Sequence, residues 1–536
     1  MGKRKTSPPQ PEDPEFSDDN LSDSGDSFNA SLASKTRKKR TSTSQRSKKR
    51  TKRDLDAVND DVPGTPLSCS LHSKSIHVMK TAEVPSIRAA LVQWYSTVQS
   101  SRNMPWRKLY DPTLDRDERA QRAYEVWISE IMLQQTQVAT VIPYYNRWLE
   151  KYSSFPHIAA GASIDEVNSL WKGLGYYSRA SRLLAGAKKA VDEHGGRLPD
   201  NAKDMQANIP GIGRYSAGAI CSIAYGENVP VASEIQLDGN VNRLLSRVLT
   251  LHAPPKAKTT LDILWNAASA MVHDLKSEYP GDVNQALIEL GSTVCKVRDP
   301  NCASCPLRPW CAAYTKTTVS PTMIVTDIED LCKVCEPTDN AAVTAYPMKV
   351  DKKKAREELD IVNVIEWRAG SDRQFLLVRR PEGGLLAGLD EFPTSPNQAR
   401  IPQDILSTLL HPDIVLLDAT GGPKPQPGSS DPSLRITKVH PVGDVVHVFS
   451  HIKKTYRVQW VLLDGTVDLP RLHDSAQTDS SIAKPKGKVK VQKTDEGPEV
   501  VPYPRWVPLD EVATKNIGTG VMKVWNLCRT MWEEDM

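Results

Sequence analysis

Four cysteines near the middle of the chain, Cys295, Cys302, Cys305 and Cys311, constrain its folding more than any other feature. They stand as C-x6-C-x2-C-x5-C within GSTVCKVRDPNCASCPLRPWC. Four thiols in so short a segment can close round one compact metal centre, and thiolate-only ligation favours zinc or an iron–sulfur cluster. A structural zinc ribbon usually shows two C-x2-C knuckles. One knuckle with unequal outer spacings points instead to a [4Fe–4S] cluster. A disulfide pair is the alternative, and the intracellular character of the rest of the chain opposes it.

At 536 residues the chain exceeds a single domain. Its charge is unevenly spread. Residues 1–30 are acidic and serine-rich, whereas Lys35 to Arg53 holds eleven lysines and arginines and no acid. Such blocks are solvated tails. The basic run reads as a nuclear-import signal or a DNA-tethering arm. No apolar stretch is long enough to span a bilayer, and no secretory signal precedes the tail. Nine cysteines, an odd number, fit a reducing compartment. The expectation is a nuclear protein, with a mitochondrial pool left open.

Residues 1–75 are expected to be the tail, and 76–314 an all-α domain of two lobes. Its helical segments include SIRAALVQWYSTVQ, SIDEVNSLWKGL and TLDILWNAASAMVHDLK, separated by Gly/Pro signals. Residues 315–357 read as a connector. From 358 to 536 the texture changes: DIVNVIEW, FLLVRR and TYRVQWVLL are strand-like, while DILSTLL and TGVMKVWNLCRTMW are helical. That is an α+β domain, with low-complexity insertions at 421–433 and 474–497 read as surface loops. The fold class is therefore multi-domain: helical, then α+β, behind a disordered tail.

Two segments carry chemistry by themselves. In IPGIGRYSAGAI (209–220), Gly211 and Gly213 permit a tight turn whose N–H groups face outward at a helix N-terminus, a geometry that binds phosphate without reading a base. An ordinary helix-connecting turn is the plainer reading. Glu130 lies in the apolar run VWISEIML with Val126, Trp127 and Leu133 as helical neighbours. Desolvation there raises a carboxyl pKa, so the group can hold a proton at neutral pH and donate it to a departing base. A glutamate reaching solvent is the alternative. Asp238 opens LDGNV and reads locally as a helix N-cap.

The hairpin followed by C-x6-C-x2-C-x5-C resembles the endonuclease III superfamily of DNA base-excision glycosylases and, within it, the MutY family of adenine DNA glycosylases. The carrying motifs are MPWR (104–107), YEVWISEIMLQQTQVATVIPYY (124–145), LWKGLGYYSRA (170–180), IPGIGRYSAG (209–218), LDGNVNRLLSR (237–247) and NQALIELGSTVC (284–295). The resemblance covers about residues 84–315. It implies a helix-hairpin-helix glycosylase domain with a [4Fe–4S] loop (295–311), removing adenine mispaired with 8-oxoguanine or guanine in double-stranded DNA. It implies Glu130 as the catalytic acid and Asp238 as the carboxylate that stabilises the cationic sugar, with Asn240 beside it. Tyr215 stands where bifunctional members carry a Schiff-base lysine, which implies base removal by water without strand nicking. The resemblance places Arg107, Trp106 and Glu289 around the flipped adenine. Leu133, Gln135 and Thr136 fall at the opposite base, and Tyr176 is the wedge in the stack. For each of these residues alone, core packing is the plainer reading.

The chain departs from the family pattern just before Asp238, where about five extra residues, 232–236, are inserted. A displaced Asp238 would impair catalysis. A lesion-binding protein with weakened chemistry is therefore one competing reading, and an endonuclease III-type pyrimidine glycosylase is another.

RRPEGGLLAGLDEFPT (379–394) resembles the opening of a Nudix box, but SPNQARIPQDILSTLL comes next, without the magnesium-binding carboxylates. The resemblance therefore implies a Nudix-like reader of 8-oxoguanine rather than a hydrolase, with Ser450 and His451 of FSHIKKTYRVQW as the reading residues. Asp390 stands where eukaryotic members usually have tryptophan. Cys332 and Cys335 form a second C-x2-C, and eukaryotic members hold a zinc ion there with a histidine before the first helix, matched by His77; a third cysteine of that pattern is missing. A monomer with no membrane partner is expected, with repair and replication proteins open as partners.

Overall fold

The computed structural model describes residues 72–159, 161–231, 238–275, 278–318, 328–338, 340, 342–350, 354–381, 386–396, 402–417, 433–449, 451–466, 468–473 and 503–534. The basic run, the 232–236 insertion, Ser450 and nearly all of both low-complexity insertions lie outside them, so the readings placed on those segments, localisation included, do too. Residues 69–536 form one compact unit. No described helix is long and apolar enough to cross a membrane.

The N-terminal part is helical. Helix α1 (Val84–Val98) is followed by α2 (Arg116–Leu133), α3 (Val138–Lys151), α4 (Phe155–Ala159), α5 (Ile164–Trp171) and α6 (Ser178–His194). Helices α7 (Ala202–Asn208) and α8 (Arg214–Ile220) flank the hairpin turn, and α9 (Gly239–Val248), α10 (Lys258–Val272), α11 (Pro280–Thr293) and α12 (Ala312–Thr318) complete the set. Local sequence fixes several starts. Asp115 and Glu118 form a reciprocal capping box on α2, and Ser163 with Glu166 does the same on α5.

Two apolar cores give two lobes. One gathers α2 to α8 around Trp127, Trp148 and Trp171, all fully buried. The other gathers α1 and α9 to α11 and includes Cys295 and Leu307 of the cysteine loop. Ile288 of α11 packs against both. Glu130 rides on α2 of the first lobe, whereas Asp238 caps α9 of the second. Any site using both therefore lies between the lobes.

The C-terminal part is a mixed sheet. Its strands are β1 (Arg356–Ala369), β2 (Asp372–Arg379), β3 (Asp390–Glu391), β4 (Thr394–Pro396), β5 (Val415–Leu417), β6 (Ser433–Val448), β7 (Ile452–Asp464) and β8 (Tyr503–Pro508). The order is β3-β2-β1-β7-β6-β5, with β4 on β1 and β8 on β2. β1 runs parallel to β7 from Arg356↔Ile452 to Trp367↔Leu463, and β6–β7 is a long antiparallel hairpin. The strand alternation is two-sided. Val362, Val364, Phe375 and Leu377 face α14 (Thr519–Glu534), while Ile365, Trp367, Leu376 and Val378 face α13 (Pro402–Leu409). Residues 72–75, read from sequence as tail, are instead tied down. Ser73 bridges Leu331, and His72 O accepts a bond from Cys332 N at 2.9 Å.

Candidate active site and metal centres

Glu130 retains some open surface, but its carboxyl is enclosed by protein atoms. Burial, and then the charge of Asp238, push it up to about 7; Arg107 and a hydrogen bond from Tyr215 pull the other way and lose. The two carboxylates that sequence could not bring together therefore share one electrostatic site. The Tyr215 phenol lies against both, and its own pKa is driven far up by burial and by those acids, so it is a hydrogen-bond donor here.

Asp238 is both an N-cap and a member of that site. Its Oδ1 accepts the N–H groups of Asn240 (2.8 Å) and Val241 (3.2 Å). Burial raises its pKa, whereas these bonds, the Asn240 side chain and Arg243 favour the anion. Asn240 is held in turn, since its Oδ1 accepts from Arg243 Nη2 at 2.9 Å. Gly291 of α11 permits the close approach: a Cβ there would sit 2.6 Å from Asn240 O. The environments thus separate the pair. Burial raises both carboxyls, Glu130 to about 7, but only Asp238 has backbone donors at a helix start that favour its charged form. Residues 232–236 lie outside the described residues, yet both flanks are anchored. Val231 N donates to Asn284 Oδ1 (3.1 Å), and Asp238 is in place.

Beside this pair is a buried ion-pair cluster. Glu289 of α11 is almost fully buried and meets Arg107 Nη2 at 2.6 Å and Arg102 Nη1 at 3.2 Å. Trp106 stands edge-on to Tyr145, with ring centroids 5.2 Å apart. Arg107 Nη1 is buried without a hydrogen-bond partner among the described residues. Arg102 was not singled out in the sequence; its position just before MPWR is the only local signal.

The face that carries Gln135 and Tyr176 has a strained backbone. Gln135 (φ +57°) and Tyr176 (φ +49°) are both non-glycine residues in the left-handed region, and both are exposed. Arg179 organises them, another residue that sequence reading missed. Its buried guanidinium donates to the carbonyls of Ile131 (2.8 Å), Met132 (3.2 Å) and Gln134 (2.5 Å) at the end of α2, and to Gly175 O (3.2 Å) beside Tyr176. It also approaches Thr136 Oγ1 at 3.5 Å. Leu133 closes α2 on the same side, and a small cavity joins Ile131, Gln134 and Arg179 to Gly211 of the hairpin. Gly211 has φ +84°, and a Cβ would strike Arg182 Cβ at 2.8 Å. Gly213 instead has ordinary extended backbone and caps α8.

Cys295, Cys302, Cys305 and Cys311 line one cavity together with Arg247. Arg247 Nη1 lies 3.2 Å from Cys295 Sγ, a cation beside the thiols that suits an anionic thiolate-bound cluster. All eight described cysteines are unpaired, against the disulfide alternative. His72 and His77, before α1, meet Cys332 and Cys335 of the connector, and these four residues could hold a metal ion, with donor atoms all within 4.8 Å of one another. His72 supplies a fourth possible donor that the sequence reading had not counted. The H-x4-H spacing of HSKSIH was the available signal. His77 Nδ1 donates to Leu249 O (2.8 Å), which turns the Nε2 lone pair toward Cys332 and Cys335 at 3.4 and 3.3 Å. Two sulfurs and two imidazoles suit tetrahedral zinc.

Comparison with known proteins agrees with this geometry. Residues 128–269 match the model of the HhH-GPD superfamily base excision DNA repair protein. The chain is 35% identical to the adenine DNA glycosylase of Homo sapiens over 502 residues, covering 88% of this chain and 81% of that protein. It is 40% identical to the adenine DNA glycosylase of Rattus norvegicus over 72% of each chain. The chain belongs to the adenine DNA glycosylase family. A solved thermostable thymine-DNA glycosylase is also similar, at 24% identity and TM-score 0.36, over 44% of this chain and 98% of that one.

In this family member the sheet region presents His451 exposed at the tip of the β6–β7 hairpin, its carbonyl accepting Arg356 N at 2.9 Å. Ser450, its neighbour, lies outside the described residues. Asp390 is buried and ion-paired with Arg505, and its N–H donates to Asn516 O at 2.9 Å. Asp390 is thus a buried polar node.

Proposed function

We propose that the chain excises adenine paired with 8-oxoguanine, or with guanine, from duplex DNA by monofunctional hydrolysis of the N-glycosidic bond. The convergence of Glu130 and Asp238 on a tyrosine, rather than a lysine, carries this reading. Adenine leaves the stack and enters the pocket of Trp106, Arg107 and Glu289. The Glu289 carboxylate accepts from the base, and the free Arg107 N–H donates to it. Glu130 in its acid form protonates the purine, and the bonding electrons leave with the base. The sugar becomes a cation, which the Asp238 anion stabilises until water adds at C1′ and gives its proton to the Glu130 carboxylate, restoring the acid. Tyr215 orients Glu130 and forms no imine, so the strand is not cleaved.

Tyr176 fills the gap left by the base, while Leu133, Gln135 and Thr136 meet the opposite base. Gly211 and Gly213 present backbone N–H groups to a phosphate. Ser450 and His451 read 8-oxoguanine from the sheet side. A [4Fe–4S] cluster held by Cys295, Cys302, Cys305 and Cys311 would fasten the loop behind α9. A zinc ion held by His72, His77, Cys332 and Cys335 would pin the segment before α1 to the connector.

The test is single-turnover base release from duplexes holding A opposite 8-oxoguanine, A opposite guanine, and T opposite guanine. Adenine release without strand nicking, fastest opposite 8-oxoguanine, is expected. Thymine release, lyase products, or tight binding without release would each overturn the proposal.

A further inference from the structure

The short helix α5 is gripped at both ends by the sheet region. At its start, Arg379 Nη1 of β2 donates to Asp165 Oδ2 (2.9 Å), and Asn516 Nδ2 donates to Asp165 O (3.0 Å). The Arg379 bond depresses the Asp165 carboxyl below its ordinary value, so this acid is an anion at neutral pH. At its end, Lys172 Nζ donates to Ala513 O (2.5 Å) and Lys515 O (3.1 Å), two carbonyls of one turn. Apolar contact backs the grip: Leu389, which opens into β3, is buried in the same core as α2 to α8, and Leu386 packs against it.

The residues just beyond Lys172 give the grip a consequence. Gly173 (φ +99°), Leu174 and Gly175 (φ +71°) lead directly to Tyr176. The Lys172 carbonyl accepts Tyr144 Oη at 2.7 Å, and a Cβ on Gly173 would collide with that hydroxyl at 2.3 Å. The far side of this loop is bonded by Arg179. The residue that holds the sheet region with its ammonium therefore holds the wedge loop with its backbone. A shift of the 513–517 turn has a route of few bonds to Tyr176, through elements that are themselves packed.

We infer that Asp165 and Lys172 are positioning residues which couple the sheet region to the wedge loop and so set how strongly the base opposite adenine controls excision. This rests on the lesion preference proposed above and adds to it residues that need not touch DNA.

The test compares the full chain with Lys172→Met, Lys172→Arg and the double variant Lys172→Met/Asp165→Ala. Two readouts are taken: single-turnover adenine release opposite 8-oxoguanine and opposite guanine, and amide exchange of the DNA-free protein at 173–177 and 513–517. The ratio of the two rates should fall roughly fivefold or more in the double variant, while the guanine-paired rate stays within about twofold. Both segments should exchange faster in Lys172→Met, and Lys172→Arg, which keeps the charge and the donors, should restore both readouts. An unchanged ratio, an equal loss on both duplexes, or faster exchange confined to 513–517 would overturn the coupling. If the wild-type chain shows no preference at all, the proposed function fails, and the exchange arm then decides the coupling alone.

Discussion

Two carboxylates, one in each half of the molecule, are buried in opposite styles. Glu366 of β1 is wholly buried and accepts five N–H donors: two from Arg368 at 2.9 and 2.7 Å, two from Arg373 at 2.7 and 3.1 Å, and Trp460 Nε1 at 2.9 Å. Glu130 of α2 is enclosed with Tyr215 as its hydrogen-bond donor and another carboxylate as its neighbour. Burying a charge is costly unless it is paired and bonded. The sheet region meets that cost with paired donors, and its carboxylate fastens β1 to β2 and β7. The helical region leaves the cost standing, and it appears as a proton held near neutral pH. Reactive carboxyls are recognised here by what their surroundings withhold.

Substituting Glu366, and Asp238 beside Glu130, separates these roles. Glu366→Ala strands two guanidinium groups and should destabilise the sheet region by about 3–5 kcal/mol. Denaturant unfolding of the full chain checks this, and a loss under about 1 kcal/mol would show the network to be ornamental. Asp238→Asn keeps an N-cap oxygen, so the melting curve should hardly move. Adenine release should nevertheless fall by about 10²–10³-fold, as for loss of one group aimed at developing charge.

Smaller effects sharpen the same contrast. His451→Ala, on the exposed hairpin tip, should cost on the order of 1–3 kcal/mol in discrimination between 8-oxoguanine and guanine, with stability unchanged. Competition binding with the two duplexes measures it. Tyr215→Phe removes a bond that favours the Glu130 anion. The pH at which activity breaks should therefore move upward, with a modest change in the maximal rate, read from single-turnover profiles.

Much of this was legible in the sequence because its signals are local. The cysteine spacing, the glycines of IPGIGRY and the apolar run round Glu130 are each confined to one short segment of the chain. What was hidden depends on partners remote in the chain. Arg102 meets Glu289 across 187 positions, Lys172 reaches Ala513 across 341, and Cys332 meets His77 across 255. His72 could be counted as a ligand only once the Ser73–Leu331 bridge had laid it beside Cys332. Arg179 lay inside a quoted motif, but its burial under the loop that carries Tyr176, with five carbonyls to serve, is a property of the fold alone.

The most direct test of Glu130 as the proton donor is the pH dependence of single-turnover adenine release from the 8-oxoguanine duplex, measured for the wild-type chain and Glu130→Gln. With the Glu130 carboxyl raised to about 7, its acid form is depleted as pH rises through that value. The wild-type rate should therefore be level at lower pH and fall about tenfold per unit above it. Glu130→Gln should bind the same duplex, release adenine about 10²–10⁴-fold more slowly, and show no such break. A wild-type rate that rises or stays flat through neutral pH, or a glutamine variant that retains near-normal release, would contradict that role.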